Sequence, residues 1–584
     1  MLTRPKLIGL KLIGPKLTRP NDTLFFQIHV LIHINHAMIQ PQFAMPQHIP
    51  LFLKISRKGD LLTWDSLSVP VLRLKSLLAP VLFIPVLLFL LSGCGPTAET
   101  ILVEERARSL EEPDLPDTII DRRDDDLSVL RIADINRIRS LDPLFAVNTA
   151  TRRVIQLAYE GLVRLDEDDR IQMAAAHRWD VSNDLLTYTF TIRRDLFFHN
   201  DESFTQGRGR RVNSHDVVRV FKRMAERDVP PDAAELFINS ILGFEAYYLE
   251  QREVYFEADR EVTGIPGIRA VNDSTVVFHL IRRDPDFLKK LASPYAVIYP
   301  SEPFRFRNDG LHRHAVGTGP FRFHASRGDS LFIFVPNQNY YRKDEDGRSF
   351  PRVQRLEVMS ITDEHRLFDS FRNERLDMIL DPGLYALYEL TDENRNLKPE
   401  FADRYQLEGL AGHDPLVLRY NTRNRFELHR SDAAAAVRHA DGDGIRAGLN
   451  YPALEVSSQD RDFSQVHVGR VFQRFGQGQG NYLLLAYTQD YLPRVLGNYL
   501  HETIDDNLNS ALIQRRVFSR DIFLYLDHLQ AIYPGQRHPV QEDELLRVEA
   551  GRYILAHATI AGWKTNSMSW WLDLNTVHAR QPQR

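Results

Sequence analysis

The stretch between residues 141 and 200 constrains the fold most, because two different apolar periods follow one another within it. In Thr151–Leu162 the apolar residues fall at the spacing of one helix face, which predicts an amphipathic α-helix. In Thr187–Ile192 apolar residues and threonines alternate strictly, which predicts a β-strand with one buried face. Asn183 and Asp184 supply turn chemistry before that strand. The residues that carry the two patterns are Val154, Ile155, Ala158, Tyr159 and Leu162 in the helix, and Tyr188, Phe190 and Ile192 in the strand.

Length, charge and cysteine content exclude several classes of protein. A chain of 584 residues is too long for one hydrophobic core, so two or three domains are expected. A formal net charge of −5 argues against a nucleic-acid partner. With a single cysteine, the chain has no internal disulfide framework and no metal site built from several thiolates. The position of that cysteine therefore becomes important.

The first 68 residues differ in character from the rest of the chain. The run LTRPKLIGLKLIGPKLTRP has low complexity and sustains neither a helical nor a strand period. His29, His33 and His36 lie within one short segment, so a metal site is one interpretation of this region. We favour the other interpretation, in which residues 1–68 are a non-native N-terminal extension and the true start lies near residues 61–71.

Residues 69–94 have the pattern of a bacterial secretory signal. Arg73 and Lys75 precede a long apolar run that ends in Leu91-Ser92-Gly93-Cys94. That ending resembles a lipobox, in which the cysteine sulfur accepts a diacylglycerol and the cysteine becomes the new N-terminus. A transmembrane anchor is the alternative, because the run approaches the length that spans a bilayer. Pro80, Pro85 and the position of the sole cysteine favour the lipoprotein.

The next segment, residues 95–126, is acidic and contains three prolines. This composition predicts a solvated, disordered tether rather than a packed element. The folded body is expected to begin near Leu127. A lipid anchor on Cys94 would then hold that body at a membrane, in the periplasm or at the cell surface.

Helix and strand signals alternate through the body. Ser214 is predicted as the N-cap of a helix with Asp216 in its first turn, and Asp363 is predicted to cap a second helix. Strands are predicted at residues 330–335 and 376–380, on either side of that second helix. The alternation favours an α/β lobe.

Several separate motifs of the body resemble a single family. They include LDPLF, AYEGLVRLD and TYTFTIRRDLFFHN within residues 141–200, VNSHDVVRVFKR from Val212, and HAVGTGPFRF from His314. Together they resemble the extracytoplasmic solute-binding proteins of peptide/nickel ABC importers, the oligopeptide- and dipeptide-binding lipoprotein class. A phosphate-binding loop is the competing interpretation of Gly317–Pro320, and we reject it because neither Lys-Ser/Thr nor a helix follows. The two glycines are instead expected to adopt backbone angles that are closed to other residues.

The resemblance implies an α/β fold of the two-lobed periplasmic-binding-protein type, in the large class that carries an inserted extra domain. Lobe I is expected to be discontinuous, and the chain then divides as follows: lobe I, residues 127–175, 301–400 and 551–584; inserted domain, residues 176–300; lobe II, residues 401–550. The family usually has a regular helix after the strand Leu416–Thr422, and here the sequence departs from it. Only Ile445–Tyr451 hints at that helix, and a glycine interrupts it.

The resemblance also implies two ligand-binding residues. Within Tyr482–Tyr499, an aromatic residue and an aspartate three positions later correspond to Tyr487 and Asp490. In oligopeptide-binding members the aspartate pairs with the α-ammonium of the peptide, and the aromatic residue forms part of the pocket wall. The alternative for Asp490 is an ordinary surface turn after a strand. This chain has Tyr where the family has Trp, and its second proline is displaced.

The function implied is capture of a peptide or related solute between the lobes and its delivery to an ABC permease in the membrane, with the protein as a monomer. The alternative is a lipoprotein sensor or surface interaction protein that keeps the fold without a transporter. The sequence contains no GxSxG, HExxH or phosphate-loop motif, so we expect no catalytic residues, metal or cofactor. The ligand stays open among oligopeptide, dipeptide, metal chelate and saccharide.

Overall fold

A computed structural model of the chain describes residues 128–580, except 411–413, 438, 441, 450–454, 459–468, 478–480, 489, 505–507, 515–519, 521 and 550, together with two short strands nearer the N-terminus. Those strands, Ile55–Arg57 and Asp60–Leu62, pair antiparallel within a compact unit formed by Met1–Glu105. Every other described element belongs to a second unit, Arg106–Arg584. The three histidines at positions 29, 33 and 36, the predicted signal with Cys94 and the predicted tether lie outside the described residues.

The largest sheet of the second unit has seven strands and draws them from distant parts of the chain. Its central strand Val129–Asp134 runs parallel to both neighbours, and Arg552–His557 runs antiparallel to both of its neighbours. The edge strand Tyr405–Leu410 lies beyond the lobe boundary predicted at residue 400. In order, the strands are Phe321–Arg327, Leu331–Pro336, Arg355–Ser360, Val129–Asp134, Met378–Ile379, Arg552–His557 and Tyr405–Leu410. Helices Thr149–Ala158, Glu364–Arg372 and Gly383–Leu390 belong to this part.

A second, six-stranded sheet is formed by residues 416–549. Its strand Leu483–Tyr487 is joined by helix Tyr491–Thr503 to the parallel strand Ser510–Gln514. The helix anticipated near Ile445 does form, as Gly442–Gly448, and buries the Ile445 side chain. In order, the strands are Glu455–Ser458, Glu544–Glu549, Leu416–Tyr420, Ile522–His528, Leu483–Tyr487 and Ser510–Gln514. The helices are Arg430–Ala436, Gly442–Gly448, Gly469–Phe475 and Tyr491–Thr503.

A third, four-stranded antiparallel sheet confirms the alternation predicted for Thr187–Ile192. Tyr188, Phe190 and Ile192 are buried on one face, as the period of two requires. The strand order is Ala176–Val181, Thr187–Ile192, Thr275–His279 and Ile268–Asn272. Helices Ser214–Met224, Asp232–Glu235, Phe244–Glu253, Phe287–Leu291 and Glu302–Phe306 follow in this part of the chain. The remaining elements are the strand pairs Val163–Leu165 with Ile171–Met173, Ile560–Ala561 with His578–Ala579 and Lys564–Thr565 with Leu572–Asp573, and the 3₁₀ turns Pro143–Phe145, Thr205–Gly207, Glu257–Asp259 and Pro399–Phe401.

Helix starts agree with the sequence at one predicted cap and differ at the other. Asp363 caps its helix by accepting from the Arg366 backbone N–H. The N-cap of Ser214–Met224 is Asn213 and not Ser214, because Asn213 and Asp216 form a reciprocal capping box. The Ser214 hydroxyl donates to the Asn272 carbonyl instead.

The first helix ends at Ala158, four residues before the predicted end at Leu162. The Gly319 backbone N–H donates to the Ala158 carbonyl at 3.0 Å, so a distant loop satisfies the helix terminus. A Cβ on Gly317 would lie 2.2 Å from the Ala158 oxygen, and one on Gly319 would lie 2.6 Å from the Ala158 carbonyl carbon. Neither glycine has a positive φ. Close backbone approach, rather than the expected unusual backbone angles, therefore explains both glycines.

Candidate ligand-binding cleft

A cleft of about 480 Å³ lies where helix Tyr491–Thr503 begins against the seven-stranded sheet. Residues from the parts of the chain that form both large sheets line it, and most of its polar lining is ionisable or amide-bearing. The lining includes Asn136, Asn148, Asp381, Asp490, Tyr491, His528, Gln530 and Arg552. A concave site in which several polar groups converge can hold a polar ligand in one orientation.

Asp490 occupies the N-cap position of helix Tyr491–Thr503, but its carboxylate does not cap the helix. Its Oδ1 accepts from Asn148 Nδ2 at 2.9 Å and from Arg139 Nη2 at 3.2 Å. The Asp490 side chain is 13% exposed. Among the described residues, Oδ2 accepts no hydrogen bond. One carboxylate oxygen is thus fixed by the protein and the other remains available at the cleft.

Tyr487 does not join Asp490 in this cleft. It lies at the end of strand Leu483–Tyr487 and lines a neighbouring space of about 580 Å³, which Arg137, Arg494 and Tyr491 also line. Tyr491 is the residue that lines both spaces. The sequence did not single out Tyr491, although an aromatic residue directly after Asp490 was a usable signal.

Tyr491 connects its helix to the seven-stranded sheet through both backbone and side chain. Its backbone N–H donates to Asn136 Oδ1 at 2.8 Å. Its hydroxyl donates to Glu364 Oε2 at 2.5 Å and accepts from the Leu384 backbone N–H at 3.0 Å. Burial, together with the Glu364 carboxylate, raises the pKa of Tyr491 well above its usual value. The hydroxyl therefore stays protonated and keeps donating at any physiological pH.

Arg552 provides the central cation beneath the cleft. It lies on the sheet strand Arg552–His557, and its Nη1 donates to Asp381 Oδ2 at 2.9 Å. Its Nη2 donates to His528 Nε2 at 3.0 Å, and its Nε lies 3.7 Å from Asp414 Oδ2. Burial of the guanidinium lowers its pKa, but Asp381 and Asp414 outweigh burial and hold the pKa of Arg552 above its usual range. Arg552 thus joins the parts of the chain that form the two large sheets.

A second buried ion pair lies next to this network. Arg153 Nη1 donates to Asp134 Oδ2 at 2.7 Å, and both side chains are at most 2% exposed. Burial raises the pKa of Asp134, and the Arg153 charge opposes this rise only in part. The sequence singled out none of these ionic residues, because no local pattern links partners that lie 19 to 171 positions apart.

His528 is neutral in the folded protein. Burial of its ring, and then the Arg552 charge, lower the pKa of His528 to about 4. A depressed histidine pKa contributes stability that is complete above the unfolded pKa of 6.5 and is lost as the pH falls towards 4.

We therefore expect the unfolding free energy to fall by roughly 2–3 kcal/mol between pH 7 and pH 4.5 through His528 alone. Urea unfolding at both pH values measures this loss. His528→Gln keeps an acceptor for Arg552 and should remove this part of the loss. His199, whose pKa is also lowered to about 4 by burial, should retain its own part in that variant. An equal loss in wild type and His528→Gln would contradict the assignment.

A larger space of about 670 Å³ lies away from this network, between Trp570 and Glu160. Glu160 Oε1 accepts from the hydroxyls of Tyr340 at 2.8 Å and Tyr341 at 3.2 Å. Burial raises the pKa of Glu160. Its contacts order the loop after strand Leu331–Pro336, so we assign Glu160 a structural role.

The described part of the chain shows neither a metal site nor a membrane-spanning helix. It contains no cluster of three or more His, Cys, Asp or Glu side chains placed to hold a metal ion. No helix within it has both the length and the apolar character needed to cross a bilayer.

Comparison with known proteins gives a family match to the middle of the chain. Residues 170–439 match the model of the bacterial extracellular solute-binding proteins, family 5. The chain is similar to Heme-binding protein A of Haemophilus influenzae, at 27% identity over 241 residues, which is 40% of each protein. It is similar to Di/tripeptide-binding protein 4 of Pseudomonas aeruginosa at 32% identity, over 28% of this chain and 29% of that protein. The chain therefore matches less than half the length of these curated relatives.

Solved structures match over a much larger share of the chain. The periplasmic binding protein DppA of Helicobacter pylori, in complex with peptide STSA, superposes with a TM-score of 0.56 at 16% identity. The match covers 78% of this chain and 98% of that one. At this identity the likeness shows the fold alone. The predicted α/β fold of the two-lobed periplasmic-binding-protein class is confirmed.

Proposed function

We propose that this chain, whose residues 170–439 belong to family 5 of the bacterial extracellular solute-binding proteins, captures a peptide in the cleft beside Asp490 and delivers it to an ABC-type permease. The family consists of extracytoplasmic proteins that bind solutes and do not catalyse reactions. The cleft therefore needs to recognise a ligand and release it, and needs no reactive group.

The availability of Asp490 Oδ2 is the observation that supports a peptide ligand. Asn148 and Arg139 hold Oδ1, so the carboxylate is oriented before any ligand arrives. A free α-ammonium placed against Oδ2 would receive a charged partner in a largely desolvated site. We propose Asp490 as the residue that binds this group. Tyr487 lines the neighbouring space, so we propose that it contacts the ligand further along its length.

We assign the seven-stranded sheet to lobe I, the six-stranded sheet to lobe II and the four-stranded sheet to the inserted domain. We keep the predicted boundaries in this assignment, except that we assign strand Tyr405–Leu410, which pairs with Arg552–His557, to lobe I. Contacts from Asp490 and Tyr491 to Asn148, Arg139 and Asn136 run between the proposed lobes. Hinge closure that forms these contacts would bury a ligand in the cleft.

Native mass spectrometry of the protein purified without denaturation tests the ligand class. We expect a mass excess that disappears on unfolding, and fragmentation of the released species should give peptide sequences. Calorimetry with a mixture of di- and tripeptides is an independent check, because it measures the binding of added peptides and not the release of bound ones. Absence of any released peptide, combined with no heat of binding to the mixture, would overturn the peptide proposal.

We also propose that the mature protein begins at Cys94, carries a lipid there and acts as a membrane-anchored monomer. The Leu91-Ser92-Gly93-Cys94 sequence at the end of an apolar run supports this proposal. Cys94→Ala should abolish incorporation of labelled palmitate and leave unprocessed precursor. Ser92→Ala keeps a small residue before the cysteine and should be labelled normally. Labelling of Cys94→Ala at the wild-type level is the contrary result.

A further inference from the structure

Arg139 contacts the carboxylate of Asp490, the residue proposed to bind the ligand. Binding of a peptide ammonium by Asp490 does not explain why a cation lies there. The Arg139 side chain is 32% exposed, and its Nη2 is 3.2 Å from Asp490 Oδ1. Its backbone N–H donates to Thr151 Oγ1 at 3.1 Å, which fixes Arg139 beside helix Thr149–Ala158. The guanidinium thus reaches Asp490 from the proposed lobe opposite to the one that carries Asp490.

The other charged side chains that line the cleft, Asp381 and Arg552, pair with each other. Arg552, which lines the cleft, contacts both Asp381 and Asp414 and also interacts with the Asp490 charge at longer range. Asn148, the second partner of Oδ1, carries no charge. Among the described residues, Asp490 is the carboxylate with which Arg139 forms an ion pair. Arg139 is therefore the direct ion-pair partner that offsets the charge which Asp490 presents to a ligand, whereas Arg552 acts from further away.

An ammonium bound at Oδ2 would lie within a few ångströms of the Arg139 guanidinium, because both cations share one carboxylate. Like charges at such a distance repel, and the repulsion is stronger in a partly desolvated site than in water. In the absence of ligand, Arg139 also stabilises the Asp490 charge, which reduces the gain from binding a second cation. Both effects weaken binding of a free amine and leave binding of a blocked, uncharged N-terminus unaffected.

We propose that Arg139 is a specificity-determining residue of the cleft, because it competes with the ammonium group of a ligand for the Asp490 carboxylate. Its guanidinium sets how strongly the cleft prefers a free amine over a blocked one. This inference rests on the proposed function and concerns the same site.

Calorimetry at low ionic strength with the dipeptide Ala-Leu and with N-acetyl-Ala-Leu tests the proposal. Arg139→Gln removes the charge but keeps a hydrogen-bond donor, so Ala-Leu should bind about fivefold or more tightly than to wild type. N-acetyl-Ala-Leu should change by less than about twofold. Arg139→Lys keeps the charge and should bind both compounds as wild type does.

Arg178→Gln is the matched control, because it removes the same charge from an exposed ion pair with Asp180, whose N–O distance is 2.8 Å. It should leave both affinities unchanged, and a melting curve of each variant confirms folding. If wild type binds Ala-Leu and Arg139→Gln binds it more weakly, Arg139 contacts the ligand. If both bind it equally, Arg139 has no effect on binding. Either result overturns the inference. If neither wild type nor any variant binds Ala-Leu, the free-amine dipeptide ligand fails, and with it both the proposed function in this form and the inference.

Discussion

Replacing Asp490 by Ala is expected to weaken the binding of a peptide with a free N-terminus by roughly two to three orders of magnitude, or about 3–4 kcal/mol. The variant would leave the ligand ammonium without a charged partner and facing the Arg139 guanidinium, which also loses its partner. The cost is large because the Asp490 side chain is only 13% exposed, so water cannot fully replace the carboxylate.

Asp490→Asn separates charge from shape in the same site. The amide oxygen can still accept from Asn148, so the side chain keeps its position while its charge is lost. We expect Asp490→Asn to recover little of the peptide affinity that Asp490→Ala loses. Calorimetry with a peptide identified by mass spectrometry gives the measurement, and Asp180→Asn, in an exposed ion pair, serves as the control. If the peptide affinity of Asp490→Ala is within about threefold of wild type, the cleft recognises a group of the ligand other than a free amine.

Arg552→Met is expected to lower the free energy of unfolding by about 3–5 kcal/mol, because it leaves the Asp381 and Asp414 carboxylates without their shared cation. Burial raises the pKa of Asp414, but the Arg552 charge and other contacts outweigh burial and hold that pKa below its usual range. Loss of Arg552 removes the largest of the contributions that oppose the effect of burial on the Asp414 pKa. The Asp414 carboxylate, which is 1% exposed, and the Asp381 carboxylate, which is 21% exposed, would then be poorly compensated.

Urea unfolding at pH 7, followed by tryptophan fluorescence, measures the effect. Arg178→Met removes an arginine whose side chain is 66% exposed, and it should leave the urea midpoint unchanged. The double variant Arg552→Met/Asp381→Asn should recover part of the loss, because one of the unpaired charges is removed. A midpoint for Arg552→Met equal to that of the Arg178→Met control would refute a stabilising role for the network.

Local sequence patterns predicted the elements but not the contacts of the cleft. The period of two in Thr187–Ile192 and the cap at Asp363 are properties of neighbouring residues, and both are confirmed. Asn148 and Arg139 lie 342 and 351 positions from Asp490. No periodicity connects residues that far apart, so their proximity emerges only from the order of strands in the sheets. For the same reason Arg552 escaped sequence analysis, whereas Tyr491, directly after Asp490, could have been found from the sequence.

The glycines of Gly317–Pro320 illustrate a different limit. The sequence correctly marked them as positions that need glycine, but it assigned the wrong physical reason. A conformational requirement can be read from a single residue type, whereas close approach to Ala158 depends on a helix end far along the chain. The predicted N-cap at Ser214 was wrong by one residue, because Asn213 and Asp216 together satisfy more backbone groups than Ser214 can.

The strand order of the seven-stranded sheet also bears on how the chain is made. In the sheet, strand Arg552–His557 lies between Met378–Ile379 and Tyr405–Leu410. Strand Tyr405–Leu410 therefore cannot join the sheet until Arg552–His557 has been synthesised. Arg153 likewise donates to the Ser569 carbonyl, 416 positions later in the chain. Such distant pairing delays completion of the largest core until translation is nearly finished. A nascent chain would thus lack a finished seven-stranded sheet for most of its synthesis, and any prematurely ended product would lack that sheet and be open to proteolysis there.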